Sequence, residues 1–233
     1  MATQDLVLIP GLASDGALWR STIDALGGVA RCTVGDTLRD ATLQDMARRI
    51  LDEAPSKFAL AGVSMGGIVA MEVVSLASAR VTRLALVDTI AAPDSGLQYH
   101  GRQIVSLLAS IPGVFETLIE RSIASMVHPD TPVAVRTEAA TMSLHIGPKV
   151  FARQNRAIAQ RRDLRPVLSG IAVPTAVIAG RHDTKTPLRY SEEINRLVEG
   201  STLDIIEHCG HLSPIEHPKA VADLLKRWLA RET

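Results

Sequence analysis

Three residue types that together can activate a hydroxyl run along this chain of 233 residues in the order Ser64, Asp183, His211. A serine hydroxyl near neutral pH needs a base to take its proton, and the base needs a third group to fix its tautomer and orientation. Ser64 stands in Gly62-Val63-Ser64-Met65-Gly66, with a glycine two residues before it and another two after. A serine on a sharp strand-to-helix turn requires those two neighbours to lack a Cβ, because the chain folds back tightly there. The same turn sets the hydroxyl beside the first free N–H groups of the new helix, which favour developing negative charge. Nucleophilic attack on an acyl carbon is the chemistry that suits this pattern. Serine, acid, histidine is also the order expected when the nucleophile lies on such an elbow.

These residues need strands to carry them to one edge. Short apolar runs, Leu6 to Ile9, Arg31 to Val34, Phe58 to Val63, Leu84 to Val87, Thr175 to Ala179 and Leu203 to Ile206, alternate with amphipathic helical patterns. This is the signature of βαβ units in a parallel sheet. Ser64 follows the third run, Asp183 the fifth in Gly180-Arg181-His182-Asp183, and His211 the sixth in Glu207-His208-Cys209-Gly210-His211. Thr42-Leu43-Gln44-Asp45 reads as a capping-box variant, and Pro187 and Gly200 as the ends of another helix. With right-handed crossovers and the first strand between the second and third, the strand order is 2-1-3-4-5-6. The winding then reverses at strands 1 and 3, where a crevice opens.

Each candidate has a rival. Ser64 can be read as a helix N-cap, Asp183 as a turn aspartate, and Asp88 in Val87-Asp88-Thr89 as the acid in its place. His208 is expected near a strand end and His217 at the start of the last helix, whereas His211 follows a glycine in a loop facing the crevice. Glu207, His208, Cys209 and His211 match no recognised zinc spacing, so no metal is expected. Residue 67 is glycine, which excludes a Ser-x-x-Lys nucleophile.

At these residues the chain resembles the α/β-hydrolase family, in its esterase and enol-lactonase-like group. Similar to that family are Gly180, Asp183 and Pro187 around the acid, and Gly210-His211 with Glu216 and Pro218 around the histidine. Pro10-Gly11-Leu12 with Trp19 looks like the family's loop after the first central strand, and Trp228 like its closing helix. The resemblance spans roughly residues 5–92 and 165–231. It implies Ser64 as nucleophile, His211 as base and Asp183, rather than Asp88, as orienting acid. With the topology, it also implies the backbone N–H groups of Leu12 and Met65 as the oxyanion pair. Two features depart from the family: Pro10 replaces its histidine, and its leading antiparallel strands have no counterpart before Leu6.

Composition narrows the rest. Lys plus Arg and Asp plus Glu both number 25, so no net field recruits nucleic acid or an anionic membrane. No apolar run approaches spanning length, the N-terminus lacks a signal pattern, and two cysteines make no disulfide framework. A cytoplasmic, cofactor-free protein is expected, and the oligomeric state stays open. Aromatic residues are only 3%, so a pocket must be lined chiefly by aliphatic side chains and methionines.

The βα alternation breaks between about residues 93 and 162, where four helical patterns follow one another: Ile104 to Ser110, Val114 to Met126, Thr131 to His145 and Lys149 to Gln160. This reads as a helical cap inserted in a core made of 1–92 and 163–233. Leu107, Leu108, Val114, Leu118, Met126, Met142 and Leu144 are expected to roof an aliphatic pocket above Ser64. Arg153, Arg156, Arg161, Arg162 and Arg165 read as a solvated helix face or, alternatively, as a site for a substrate carboxylate. The expectation is an α/β serine hydrolase acting on a small or medium carboxylic ester or lactone. Other chemistry on the same fold, such as carbon–carbon bond hydrolysis, hydroxynitrile lysis or perhydrolysis, is the alternative, and a non-catalytic ligand-binding module the next.

Overall fold

The computed structural model describes residues 3–232. Six parallel strands form one sheet: β1 (Gln4–Ile9), β2 (Ala30–Val34), β3 (Phe58–Val63), β4 (Val81–Val87), β5 (Thr175–Gly180) and β6 (Thr202–Ile206). Their order is β2-β1-β3-β4-β5-β6, as the strand and crossover argument requires. Registers such as Leu8 beside Ala61 and Gly62 beside Leu86 bring the carboxyl ends of β1, β3 and β4 level.

Both faces of the four central strands are buried, which is why they read as nearly continuous apolar runs, whereas the edge strands β2 and β6 are half-exposed. Successive residues of β1 supply opposite cores: Leu6 and Leu8 one, Val7 and Ile9 the other. On the first side pack α1 (Ala17–Leu26) and α11 (Pro218–Leu229), with Trp19 and Trp228 buried between them and the sheet. On the second lie α2 (Leu43–Glu53), α3 (Met65–Ala77), α8 (Arg165–Leu168) and α9 (Arg189–Leu197). Helix α3, against the central strands, is buried over its first ten residues, so it carries almost no amphipathic signal. Helix α9 starts at Arg189, two residues after the proline that marks it in the sequence. At α2 only half of the capping box forms: Thr42 accepts from the Asp45 N–H, while the Asp45 carboxylate takes the Thr42 hydroxyl instead of its N–H.

Four helices lie between β4 and β5: α4 (Gly96–Leu108), α5 (Val114–Met126), α6 (Val133–Ile146) and α7 (Pro148–Ala159). Helix α4 begins eight residues earlier than its apolar pattern suggests. Ser95 and Gln98 close a full capping box there, with Ser95 N–H donating to Gln98 Oε1 at 2.9 Å. The short α10 (Ser213–Glu216) follows the His211 loop. Among the described residues, no helix is long and apolar enough to cross a membrane.

Candidate active site

Ser64 joins β3 to α3 with φ 55° and ψ −119°, a left-handed backbone that costs a non-glycine residue on the order of 1–3 kcal/mol. The surroundings hold it there. Its N–H donates to Val87 O at 2.9 Å, and its carbonyl accepts the Thr89 hydroxyl at 2.7 Å. A Cβ on Gly62 would overlap the Gly66 carbonyl, and one on Gly66 would overlap the Ile9 carbonyl. The two glycines therefore let α3 press against both its own strand and β1. Thr89 carries no sequence signal for this role, since its contact crosses from β4 to β3.

Asp183 follows β5 in a tight turn. Its Oδ1 accepts the N–H groups of Lys185 (2.7 Å) and Thr186 (2.9 Å), and its Oδ2 accepts the Thr186 hydroxyl at 2.6 Å. The same Oδ2 lies 2.8 Å from His211 Nδ1, and His211 Nε2 lies 2.8 Å from Ser64 Oγ. Three side chains separated by 119 and 28 residues thus form one hydrogen-bonded line. Burial opposes charge on His211, but the Asp183 carboxylate beside it, with Asp88 further off, outweighs burial and holds the imidazole above its ordinary range. Burial likewise opposes charge on Asp183, and His211 and Thr186 outweigh it to keep the carboxyl low. An anionic Asp183 against an easily protonated His211 is the polarity needed to draw a proton from Ser64.

The His211 loop is held from below. Glu216 accepts four bonds, from the N–H groups of His128 (2.8 Å), Gly210 (3.2 Å) and Leu212 (3.1 Å) and from the Thr131 hydroxyl (2.8 Å). His211 N–H donates to Met126 O at 2.7 Å. The rival acid, Asp88, does not touch the imidazole. It is fully buried and accepts Gly180 N–H at 2.8 Å and Ser213 N–H at 3.3 Å, tying the Asp183 loop to the His211 loop. Burial, with Asp183 close by, pushes the Asp88 carboxyl up to about 7. His217 caps the last helix and donates to or accepts from nothing at Ser64; its Nε2 meets His208 O at 2.9 Å. Glu207, His208, Cys209 and His211 are not brought together. Glu207 pairs with Arg181 at 2.7 Å, Cys209 is buried, and His208 turns toward His128 and Asp130.

The loop after β1 places Leu12 beside the elbow. Among the described residues, neither the Leu12 nor the Met65 N–H has a protein acceptor. Where the family pattern has a histidine and this chain has Pro10, the loop is braced from α7 instead. Buried Gln154 accepts Ala13 N–H at 2.9 Å and donates to Thr37 O at 3.0 Å. Residues 6–224 match the sequence model of the alpha/beta hydrolase family, nearly the whole chain. The chain belongs to the alpha/beta hydrolase family.

Among proteins similar to this α/β hydrolase is a pimeloyl-[acyl-carrier protein] methyl ester esterase of Aliivibrio salmonicida, 26% identical over 98% of this chain and 93% of the relative. A thermophilic esterase from Thermogutta terrifontis superposes with TM-score 0.87 at 26% identity, over 97% of this chain and 90% of that one. The enol-lactonase from Burkholderia xenovorans shares the fold, with TM-score 0.87 at 21% identity over 99% and 92% of the two chains.

Above Ser64 this α/β hydrolase has a partly open cavity of about 380 Å³. Its walls correct the expected roof. Met126 and Met142 line it, but Leu107, Leu108, Val114, Leu118 and Leu144 do not; Leu107 is 68% exposed. Helical phase explains Leu107, which lies opposite the inward stripe of α4 made by Gln98, Gly101, Arg102 and Val105; Leu108 lies close to that stripe but is the last residue of the helix and does not line the cavity. Ile119, Ile123, Phe151 and Ile158 complete the apolar wall. The arginines of the α7 region do not reach the cavity. Arg161 is buried beside Asp94 at 2.8 Å, Arg162 pairs with Glu72 at 2.8 Å and Arg165 with Asp163 at 2.6 Å, while Arg153 donates to the Leu38 carbonyl.

Proposed function

We propose that this protein is a serine hydrolase that cleaves a small or medium carboxylic ester or lactone. The observation that carries the reading is the unbroken 2.8 Å line from Asp183 through His211 to Ser64 at the floor of a partly open, largely apolar cavity. The naming of similar proteins as ester hydrolases supports it from a second direction.

Ser64 Oγ attacks the acyl carbon as His211 Nε2 takes its proton, and Asp183 stabilises the imidazolium that forms. The carbonyl oxygen becomes an oxyanion between the N–H groups of Leu12 and Met65. When the tetrahedral intermediate collapses, the leaving alkoxide takes the proton back from His211, and an acyl group remains on Ser64. Water then repeats the sequence: His211 removes its proton, the hydroxide oxygen bonds to the acyl carbon, and Ser64 leaves reprotonated with the free acid. No cofactor enters these steps. In this reading residues 93–162 act as a cap that shapes the acyl pocket over a core of 1–92 and 163–233, and the protein works in a reducing, cytoplasmic setting.

A fluorophosphonate should add one equivalent, located at Ser64 by peptide mass spectrometry, and Ser64→Ala should take none. Intact mass without an adduct, or an adduct on another residue, overturns the nucleophile assignment.

A further inference from the structure

The cavity over Ser64 has an unbalanced wall. Among its lining residues Arg102 and Lys185 are the fully cationic side chains, and there is no aspartate or glutamate. Arg102 is held in place: Nε donates to Asp94 Oδ2 at 2.8 Å and Nη1 to Asn155 Oδ1 at 2.8 Å. Asn155 is itself fixed, donating to Arg102 O and Ser106 Oγ at 3.0 Å each. Asp94 cannot neutralise Arg102 alone, because buried Arg161 shares it, with Nη1 2.8 Å from Asp94 Oδ1. One carboxylate between two guanidinium groups leaves a positive charge over. Among the described residues, Arg102 Nη2 and Lys185 Nζ have no hydrogen-bond acceptor, and Lys185 has no ion-pair partner.

The two cations also sense each other. Burial lowers the Lys185 ammonium from its ordinary range, and Arg102 adds to the lowering while Asp183 opposes it. Lys185 in turn works against protonation of His211. Lys185 thus lies within electrostatic reach of His211, and Arg102 within reach of Lys185, in a pocket poor in countercharge.

Resting on the hydrolase reading above, we propose that the substrate carries a carboxylate in addition to its ester, and that Arg102 Nη2 and Lys185 Nζ receive its two oxygens. Charge-assisted bonds are among the stronger polar contacts, and a prefixed arginine loses little entropy in making them, although Lys185 is exposed and Arg102 half-buried so that solvent screens both. The small cavity, near the lower end of the ~300–1,000 Å³ usual for ligand sites, sets the length of the chain between the two groups. A half-ester of a short dicarboxylic acid, or a lactone bearing a carboxylate, fits both demands. The apolar wall then holds the methylene segment that joins them.

The test compares monomethyl and dimethyl glutarate and adipate, which share the scissile bond and differ by one charge. Each kcat/KM is divided by the hydroxide rate of the same ester. The expected result is a preference for the half-ester of tenfold or more, about 1.4 kcal/mol, that shrinks in high salt. Lys185→Gln and Arg102→Gln should each cut the half-ester to diester ratio at least threefold. Because the ratio is taken within one variant, a general loss of turnover cancels, and Lys185→Gln serves alone if the Arg102 variant does not fold. Equal rates for the two esters in the wild type, or a ratio unmoved by Lys185→Gln, overturns the carboxylate subsite while Ser64 labelling leaves the hydrolase reading standing. A stronger preference for a phosphonate-tipped ester also overturns it, in favour of a phosphate-type anion. If no ester is cleaved and Ser64 takes no label, both readings fall.

Discussion

Replacing Asp183 with Asn tests the acid by changing one atom. The geometry dictates which way the amide must face. At the Oδ1 position a terminal NH₂ would meet the N–H groups of Lys185 and Thr186, donor against donor, at sites now 2.7 and 2.9 Å from an acceptor. Leaving two such buried donors unserved costs about 2–6 kcal/mol. The NH₂ therefore turns to the Oδ2 position, where the Thr186 hydroxyl can reverse and accept. There it donates to His211 Nδ1, which fixes the proton on Nε2. In that tautomer His211 donates to Ser64 and cannot take its proton. Adding the lost stabilisation of the imidazolium, kcat/KM should fall ~10³–10⁴-fold, or about 4–5.5 kcal/mol in the barrier. Turnover of an activated ester measures this, with Ser64→Ala as the floor and thermal melting as a check on the fold. A loss of less than tenfold, or a greater loss in Asp88→Asn than in Asp183→Asn, would refute the assignment.

Three further outcomes follow from the same coordinates of charge and packing. Because Asp183 and Asp88 raise His211, kcat/KM should climb as His211 deprotonates with a midpoint above about 6.5, and a flat profile or a midpoint below that value counts against His211 as the base. Gly66→Ala drives a Cβ into the Ile9 carbonyl and to within 2.7 Å of Pro10 O, so stability should fall by about 1–3 kcal/mol, read as a Tm lower by several degrees; an unchanged Tm sinks the close-packing argument. Glu216→Ala strips four donors of their acceptor, so denaturant unfolding should show a loss of roughly 2–5 kcal/mol, and kcat should drop more than KM rises because the His211 loop slackens. A wild-type kcat in that variant would mean the loop needs no such brace.

Much of this protein is written locally. The four central strands are legible because both of their faces are buried, so each is a short apolar run whose identity does not depend on its partners, while the edge strands β2 and β6 are half-exposed and carry Arg31 and Asp204. Strand β3 falls on its expected residues, Phe58–Val63, and the others differ only at their ends. The elbow is legible because Gly62 and Gly66 answer a backbone constraint two residues from Ser64. The Asp183 and His211 loops stand out because each follows a strand end and carries a glycine nearby. What stayed hidden depends on chain segments that meet only after folding. Gln154 braces a loop 141 residues away, Thr89 holds the Ser64 carbonyl across 25, and Asp88 staples two loops across 92 and 125. The pocket wall was misread for a related reason: the inserted helices carry apolar residues on both faces, and composition cannot tell which face docks. Exposed Leu107 and lining Val105 look alike in sequence. The charge of the pocket is the furthest from view, since Arg102 is one arginine among many until packing gives its partner, Asp94, a second guanidinium to serve and leaves one positive charge uncompensated at the cavity wall.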